Sequence, residues 1–508
     1  MAEVTRNIVI VGGGTAGWLT AALLAKQHGH ALTITLVESS DIPTVGVGEG
    51  TWPSMRTTLQ KVGISETEFI RQCTATFKQA SRFVNWIDKE NDEYFHPFTQ
   101  PVGADKIDIA AYWQQLQPNI PFCDAVTVQA QLCKQGIAPK SIAHREYDTA
   151  ANYGYHLDAG KFAELLKNHC VSNLNVRHVV GTVTAVQQDE HENIRAVVTA
   201  EQGTIAGELF VDCSGFKSLL LGETLKVPFI SKQDVLLADT AIAVQVPYPD
   251  PEHPIACHTI STAQSAGWIW DIGLQQRRGV GYVYASQYAS HAEAEQTLRN
   301  YIGDDIDDCS IKTIKFNAGH RAQFWKNNCV AVGLSSGFLE PLEASALMLV
   351  ETAANFIADQ LPVTSAEMAP VARRFNQVFA AKWRGIIDFL KLHYVMSKRT
   401  EPFWQANKDP NTIPESLTEL LTLWQHRTPN EYDFMQDFEA FSAASYAYVL
   451  YGTGFKTDLA LTQHRLTQPQ RANKFFAIRQ QQSEQLPLRL PRHRELINQV
   501  LTQGFAQI

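Results

Sequence analysis

The 508-residue sequence lacks several features that would settle its class at once. None of its eight cysteines stands in a CxxC, so neither a zinc ribbon nor a redox dithiol is expected. Spread through so long a chain, they read as reduced, mostly buried thiols. Its sixteen histidines show no HExxH or similar spacing, and no metal site is expected. An excess of positive charge is also missing. The formal net charge of −9 gives no reason to expect nucleic acid or an anionic membrane as a partner. The apolar segment Ile8–Leu24 is interrupted by four glycines and falls short of a membrane span. The start, Met-Ala-Glu-Val-Thr-Arg, has no signal-peptide pattern, so a cytoplasmic location is the expectation. There is no repeat, no low-complexity tract and no second glycine fingerprint, which argues against a reductase that binds two dinucleotides.

What is present begins at the N-terminus. The run Asn7-Ile8-Val9-Ile10-Val11 leads into Gly12-x-Gly14-x-x-Gly17, and a helical pattern starts at once. A strand feeding a glycine turn and a helix is how a dinucleotide fold holds a pyrophosphate. Gly12 permits the tight turn, Gly14 lets backbone approach phosphate, and Gly17 lets helix pack closely on strand. Thr15 and Ala16 open the helix, whose first N–H groups face the anion. A second apolar run, Leu32–Val37, ends in Glu38, placed to accept ribose hydroxyls. An acid there disfavours a 2′-phosphate, so FAD or NAD is expected rather than NADP. The Gly-rich stretch Asp41–Pro53 cannot be a regular helix; its Val47, Gly48 and Glu49 suit backbone lying against a flat ligand.

Further along, Ser65-x-x-Glu68 reads as a capping box and Phe77–Trp86 as a strand with Lys78 among apolar neighbours. Asp158 reads as the N-cap of a helix reaching about Cys170. Val176–Val186, Ile194–Thr199 and Gly207–Val211 form an expected strand meander that ends at Asp212-Cys213-Ser214-Gly215. Strands resume at Ala238–Val246, Gly267–Gly273 and Gly281–Ser286. From residue 346 the period turns helical, with helices expected at Leu347–Gln360, Met368–Lys398, Ser416–Gln425, Phe434–Tyr451 and Arg471–Gln485. So long a chain exceeds one compact core, and the change of period divides it into 1–365 and a mainly helical 366–508.

Four segments together resemble the flavin-dependent halogenases, the family typified by tryptophan halogenases. They are Gly12-x-Gly14-x-x-Gly17-Trp18, the Val-Gly-Val-Gly-Glu-Gly-Thr of Val45–Thr51, Gly267-Trp268-Ile269-Trp270-Asp271-Ile272, and Gly337–Ser345. Asp212–Phe216 and His96-Pro97-Phe98 also look like family sequence. The resemblance implies an α/β fold: an FAD-binding domain of the p-hydroxybenzoate-hydroxylase-like kind, a Rossmann-type sheet with an inserted β-sheet, followed by a helical C-terminal region. It implies that FAD is used as FADH2, delivered by a separate flavin reductase, and that O2 and chloride or bromide yield hypohalous acid. Asp212 and Gly333 join the glycines, Thr15, Ala16, Glu38, Val47, Gly48 and Glu49 as expected cofactor contacts. A homodimer is left open.

The same resemblance assigns the chemistry. Lys78 matches the lysine that captures the oxidant and presents it to an arene, and its apolar flanks would desolvate the amine. From the residues alone it would be a surface lysine on an edge strand. Glu343 matches a carboxylate that polarises the oxidant or takes a proton from the arene; otherwise it is a helix N-terminal acid. Ser345 and Ala346 fall where the halide would sit, although the family more often has Ser-Thr-Gly after the glutamate. Trp268 and Trp270, two apart on a strand, share a face and would keep substrate from the flavin. The family's proline after this motif is here Gly273, which would loosen the strand end and leaves an aromatic monooxygenase as one alternative. A non-catalytic FAD-binding protein is the other. His96, Phe98 and Trp86, with Tyr446, Phe441, Tyr448 and Phe455, would line a pocket for an aromatic ring. No carboxylate and tyrosine pair matches one for the head group of free tryptophan, so indole or another electron-rich arene is the expected substrate.

Overall fold

The computed structural model describes residues 4–40, 48–88, 92–303, 309–434 and 439–507. The chain forms two compact units, and they do not follow a single cut near residue 365. The first comprises 1–75, 157–232 and 317–380; the second comprises 76–156, 233–316 and 381–508. Strand pairing between segments far apart in sequence produces this interleaving, and periodicity along the chain cannot register it.

The first unit is built on a six-stranded sheet in the order Trp325–Lys326, Cys329–Ala331, Leu209–Asp212, Asn7–Val11, Thr33–Glu38 and Arg177–Val180. All neighbours are parallel except the short edge strand Trp325–Lys326. A parallel sheet is covered on both faces, which explains the unbroken apolar run Ile8–Val11, every residue of it buried. Helix Thr15–His28 is buried from Gly17 to Ala25 and packs against helices Ala159–Asn173 and Ser345–Asp359. Asp158 caps the former by accepting the Lys161 N–H at 3.1 Å, as its position suggested.

The expected meander is divided. Arg177–Val180 joins the six-stranded sheet, while Val183–Gln188, Ile194–Thr199 and Gly203–Ala206 form a separate antiparallel sheet. Leu209–Asp212 then returns beside Asn7–Val11. The break falls at Gly181 and Thr182, whose N–H groups go to the Glu38 carbonyl at 2.9 Å and the Glu201 carboxylate at 2.9 Å.

The second unit carries a seven-stranded sheet in the order Lys312–Lys315, Thr240–Pro247, Arg277–Tyr284, Gly267–Gly273, Thr259–Gln264, Ala80–Val84 and Glu93–Pro97. The stretch expected as one strand, Phe77–Trp86, is two. Thr76–Lys78 pairs with the strand Gly154–Asp158, and Ala80–Val84 lies parallel to Thr259–Gln264. Gln79 interrupts them because its N–H goes to the Cys257 carbonyl at 2.8 Å and its carbonyl accepts the Phe98 N–H at 3.2 Å. Among the C-terminal helices, the one expected over Phe434–Tyr451 is confined to Ala443–Gly452; residues 435–438 lie outside the described residues. Helix His493–Gln503 was not expected at all. Among the described residues, no helix is long and apolar enough to cross a membrane.

Candidate functional site

The expected site residues fall into two groups, one in each unit. In the first unit the strand Asn7–Val11 delivers the chain to Gly12, whose φ of +122° suits a residue without a side chain. A Cβ there would lie 2.1 Å from the Cys213 carbonyl oxygen, and one on Gly17 would lie 2.0 Å from the Gly12 oxygen. Gly14 is different: a Cβ on it would meet nothing within 4 Å. The space in front of the N-cap of helix Thr15–His28 is therefore open, and no side chain caps its N–H groups. An uncapped helix start behind an open glycine fits a pyrophosphate. Gly333, at φ +74°, brings its turn against the same helix start, close to Ala16.

Glu38 ends its strand beside Gly13, with one carboxylate oxygen 2.7 Å from His178 Nε2. This neighbourhood suits the hydroxyls of a ribose. Gly48 and Glu49 form a short strand with Gly50, and burial pushes the Glu49 carboxyl up to about 7. Val47 lies outside the described residues. Asp212 is fully buried, and its carboxylate accepts bonds from the Ser214 N–H and hydroxyl and from the N–H groups of Leu220 and Leu221. Those bonds make Asp212 the organiser of its own turn.

Glu343 and Ala344 both adopt left-handed backbone, at φ +65° and +54°, immediately before helix Ser345–Asp359. Two such non-glycine residues in succession are strained. The Glu343 carbonyl accepts the Trp52 indole N–H at 2.9 Å, which ties this bend to the end of the Gly-rich segment. Glu343 and Ser345 are buried and Ala346 is exposed. No side chain caps the helix start, so its N–H groups suit an anion. Two turns on, Glu351 is also buried and takes the hydroxyls of Thr58 at 2.7 Å and Ser54 at 3.2 Å. Burial pushes its carboxyl up to about 8. Glu351 was not singled out from the sequence, although a lone acid after Leu347-Met348-Leu349-Val350 was a visible signal.

In the second unit Lys78 is 0% exposed, which removes the reading of a surface lysine on an edge strand. Its Nζ lies 5.2 Å from the centre of the half-buried Phe98 ring. Two histidines missed in the sequence sit around its strand. His493 Nε2 accepts the Phe77 N–H at 3.0 Å, while its Nδ1 lies 3.1 Å from the Ile255 carbonyl, so Nδ1 carries the proton. His156 Nε2 lies 2.8 Å from the Thr259 hydroxyl. Burial first, and then the Lys78 charge, hold the His156 imidazole well below its ordinary value and keep it neutral.

Trp268 is core, packed 6.3 Å from Trp86 and 6.4 Å from Trp270 between ring centres. Trp270 is half-buried and fills the space left by Gly281, where a Cβ would stand 2.1 Å from its indole. The strand end is not loosened by Gly273. That residue stays in register with Arg278, and its carbonyl accepts the Thr76 hydroxyl at 2.6 Å. A Cβ on it would meet Ile255 at 2.7 Å and the Tyr248 hydroxyl at 2.9 Å, so this strand end is tighter than expected. His96 is buried among Phe389, Phe441 and Tyr448. Tyr446 is core, stacked on Phe434, with its hydroxyl on the Gly385 carbonyl at 3.3 Å. Tyr446 was expected in a pocket wall, and its ring is buried in this aromatic cluster. A surface groove of about 720 Å³ runs beside Gln135, Glu252, Ile255 and Arg494 in this unit, and none of the expected site residues lines it.

The glycine-cradled helix start and the acid-ended second strand define a dinucleotide-binding protein. Residues 7–467 match the family described as tryptophan halogenase. Tryptophan 6-halogenase SttH of Streptomyces toxytricini is 38% identical over 475 residues, 89% of this chain and 90% of that protein. The crystal structure of a tryptophan halogenase from Shewanella frigidimarina is 46% identical, superposes with a TM-score of 0.97, and covers 100% of this chain and 99% of its own. BrvH, a flavin-dependent halogenase from Brevundimonas sp. BAL3, is 32% identical with a TM-score of 0.87 over 98% and 99%. The chain belongs to the tryptophan halogenase family of flavin-dependent enzymes. The aromatic monooxygenase and non-catalytic alternatives give way to that membership.

Proposed function

We propose that this enzyme halogenates an electron-rich, indole-like arene, using FAD in its reduced form, O2 and chloride or bromide, with a separate reductase delivering the flavin. The burial of Lys78 carries the reading: a lysine held in the interior beside an aromatic ring has a use that an exposed one does not. Gly12, Gly14, Thr15, Ala16, Gly17 and Gly333 would hold the pyrophosphate, and Glu38 the ribose. Bound there, reduced flavin with O2 supplies the oxidising equivalent that turns halide into hypohalous acid.

The protein's own groups do the rest. Lys78 Nζ donates a hydrogen bond to the oxygen of the hypohalous acid and orients its halogen toward the ring. The carbon–halogen bond forms as the oxygen–halogen bond breaks, and the departing hydroxide takes a proton from the Lys78 ammonium and leaves as water. Glu343 accepts the proton lost from the ring carbon. Ser345 and the N–H groups of its helix start hold the halide, with Ala346 contributing backbone only. Trp268 and Trp270 keep the organic substrate from the flavin, and His96 and Phe98 shape the arene pocket.

The test supplies FAD, a flavin reductase, NADH and bromide, with indole and free tryptophan in parallel. The expected result is brominated indole that disappears with Lys78→Ala. Halide-independent oxygenation unaffected by that substitution would overturn the reading.

A further inference from the structure

Three soft ligand groups converge in the interior of the second unit. Cys133 comes from helix Gln129–Lys134, and Cys257 with His258 immediately precedes strand Thr259–Gln264. All three are buried, His258 at 5% exposed. One ligand atom from each lies within 4.8 Å of the other two, and among the described residues this is the one His, Cys, Asp or Glu cluster close enough to share an ion. The absence of any CxxC hid it, because the two sulfurs come from opposite ends of a long sequence separation.

A second observation points to a ligand. Neither ring nitrogen of His258 has a hydrogen-bond partner, although the ring is buried edge-on to Phe95 at 5.7 Å. An imidazole left so in an apolar core is costly, since a neutral ring needs one acceptor and one donor. Ala80, Phe95, Cys123 and Tyr448 belong to the same hydrophobic cluster as Cys133 and Cys257.

We propose that Cys133 Sγ, Cys257 Sγ and one ring nitrogen of His258 bind a zinc ion, with water in a fourth position. Two thiolates and a neutral imidazole leave Zn²⁺ with no net charge, which suits an apolar interior; Cu⁺ would leave a buried negative charge. The set contains no oxygen, which excludes Ca²⁺ and Mg²⁺. In a tetrahedral zinc site the ligand atoms stand roughly 3.5–3.8 Å apart, so closure asks for a movement of no more than about 1 Å. Binding would displace both thiol protons to solvent. Because the Cys257 carbonyl holds the Gln79 N–H at 2.8 Å, an occupied site would stiffen the backbone next to Lys78.

The test titrates the full-length, metal-stripped protein with Co²⁺ and then Zn²⁺. We expect about one equivalent bound, a thiolate-to-cobalt charge-transfer band that zinc abolishes, and a higher melting temperature with zinc. In Cys257→Ser and in His258→Gln the affinity should fall at least about tenfold and the charge-transfer band should weaken. The wild-type spectrum decides even where a variant fails to fold. A folded wild-type protein with no charge-transfer band, or an unchanged affinity in Cys257→Ser, would overturn the site.

Discussion

The two units build their candidate chemistry from different materials. In the first, the candidate ligand contacts are mostly backbone: glycines at Gly12, Gly14 and Gly17, and helix starts at Thr15 and Ser345 with no side-chain cap, with the Glu38 and Glu343 carboxylates the exceptions. In the second they are buried side chains, Lys78, His156, His493 and the aromatic rings, drawn from segments far apart in the chain. A backbone site is local and is written as a short motif. A side-chain site exists only once distant strands have paired, so its parts carry little meaning singly.

The substitution expected to do most damage separates the two. Lys78→Ala should lower halogenation at least about a thousandfold, as loss of a covalent or proton-donating group does, while FAD affinity stays within about twofold. Flavin titration and product analysis on one preparation check both. Gly12→Ala should do the reverse. Its Cβ would enter the Cys213 carbonyl at a φ of +122°, a cost of at least about 3 kcal/mol seen as lost FAD binding or a lowered melting temperature. If Lys78→Ala instead releases flavin, the two regions are not chemically distinct.

Glu351 offers a smaller effect with a definite sign. Its folded carboxyl titrates at about 8 rather than 4.5 because of burial. The folded protein therefore keeps a proton that the unfolded chain loses, and stability falls as pH rises between those values. We expect a loss on the order of a few kcal/mol across that window, at ~1.4 kcal/mol per unit of displacement; the Thr58 and Ser54 hydroxyls keep it from being larger. Denaturation of wild type and Glu351→Gln at pH 5 and pH 8 measures it; equal slopes would contradict the assignment. The smallest effect is Tyr446→Phe, which removes one bond to the Gly385 carbonyl at a cost of about 1 kcal/mol. Turnover and the position of halogenation should not change. A shift in position would make Tyr446 a pocket wall after all.

How much was legible follows the same division. The glycine fingerprint and Glu38 were readable because turn, helix start and strand end are adjacent in sequence. The bonds by which Asp212 orders its own turn were not legible, since its partners, Leu220 and Leu221, lie in a turn that periodicity does not describe. Lys78 was found through resemblance; its burial depends on pairing with Gly154. Gly273 was expected to loosen a strand end that Thr76, a residue from another segment, in fact holds. His493 and the Cys133, Cys257 and His258 cluster left no pattern at all, for each belongs to contacts made across the whole unit.

The most direct measurement follows bromide oxidation and indole bromination together in Lys78→Ala loaded with FAD and fed by a reductase, with a diketone trap for free hypobromous acid. The account predicts that the trap is brominated while indole is not. Indole brominated at the wild-type rate and position would mean that the buried lysine does not deliver the halogen.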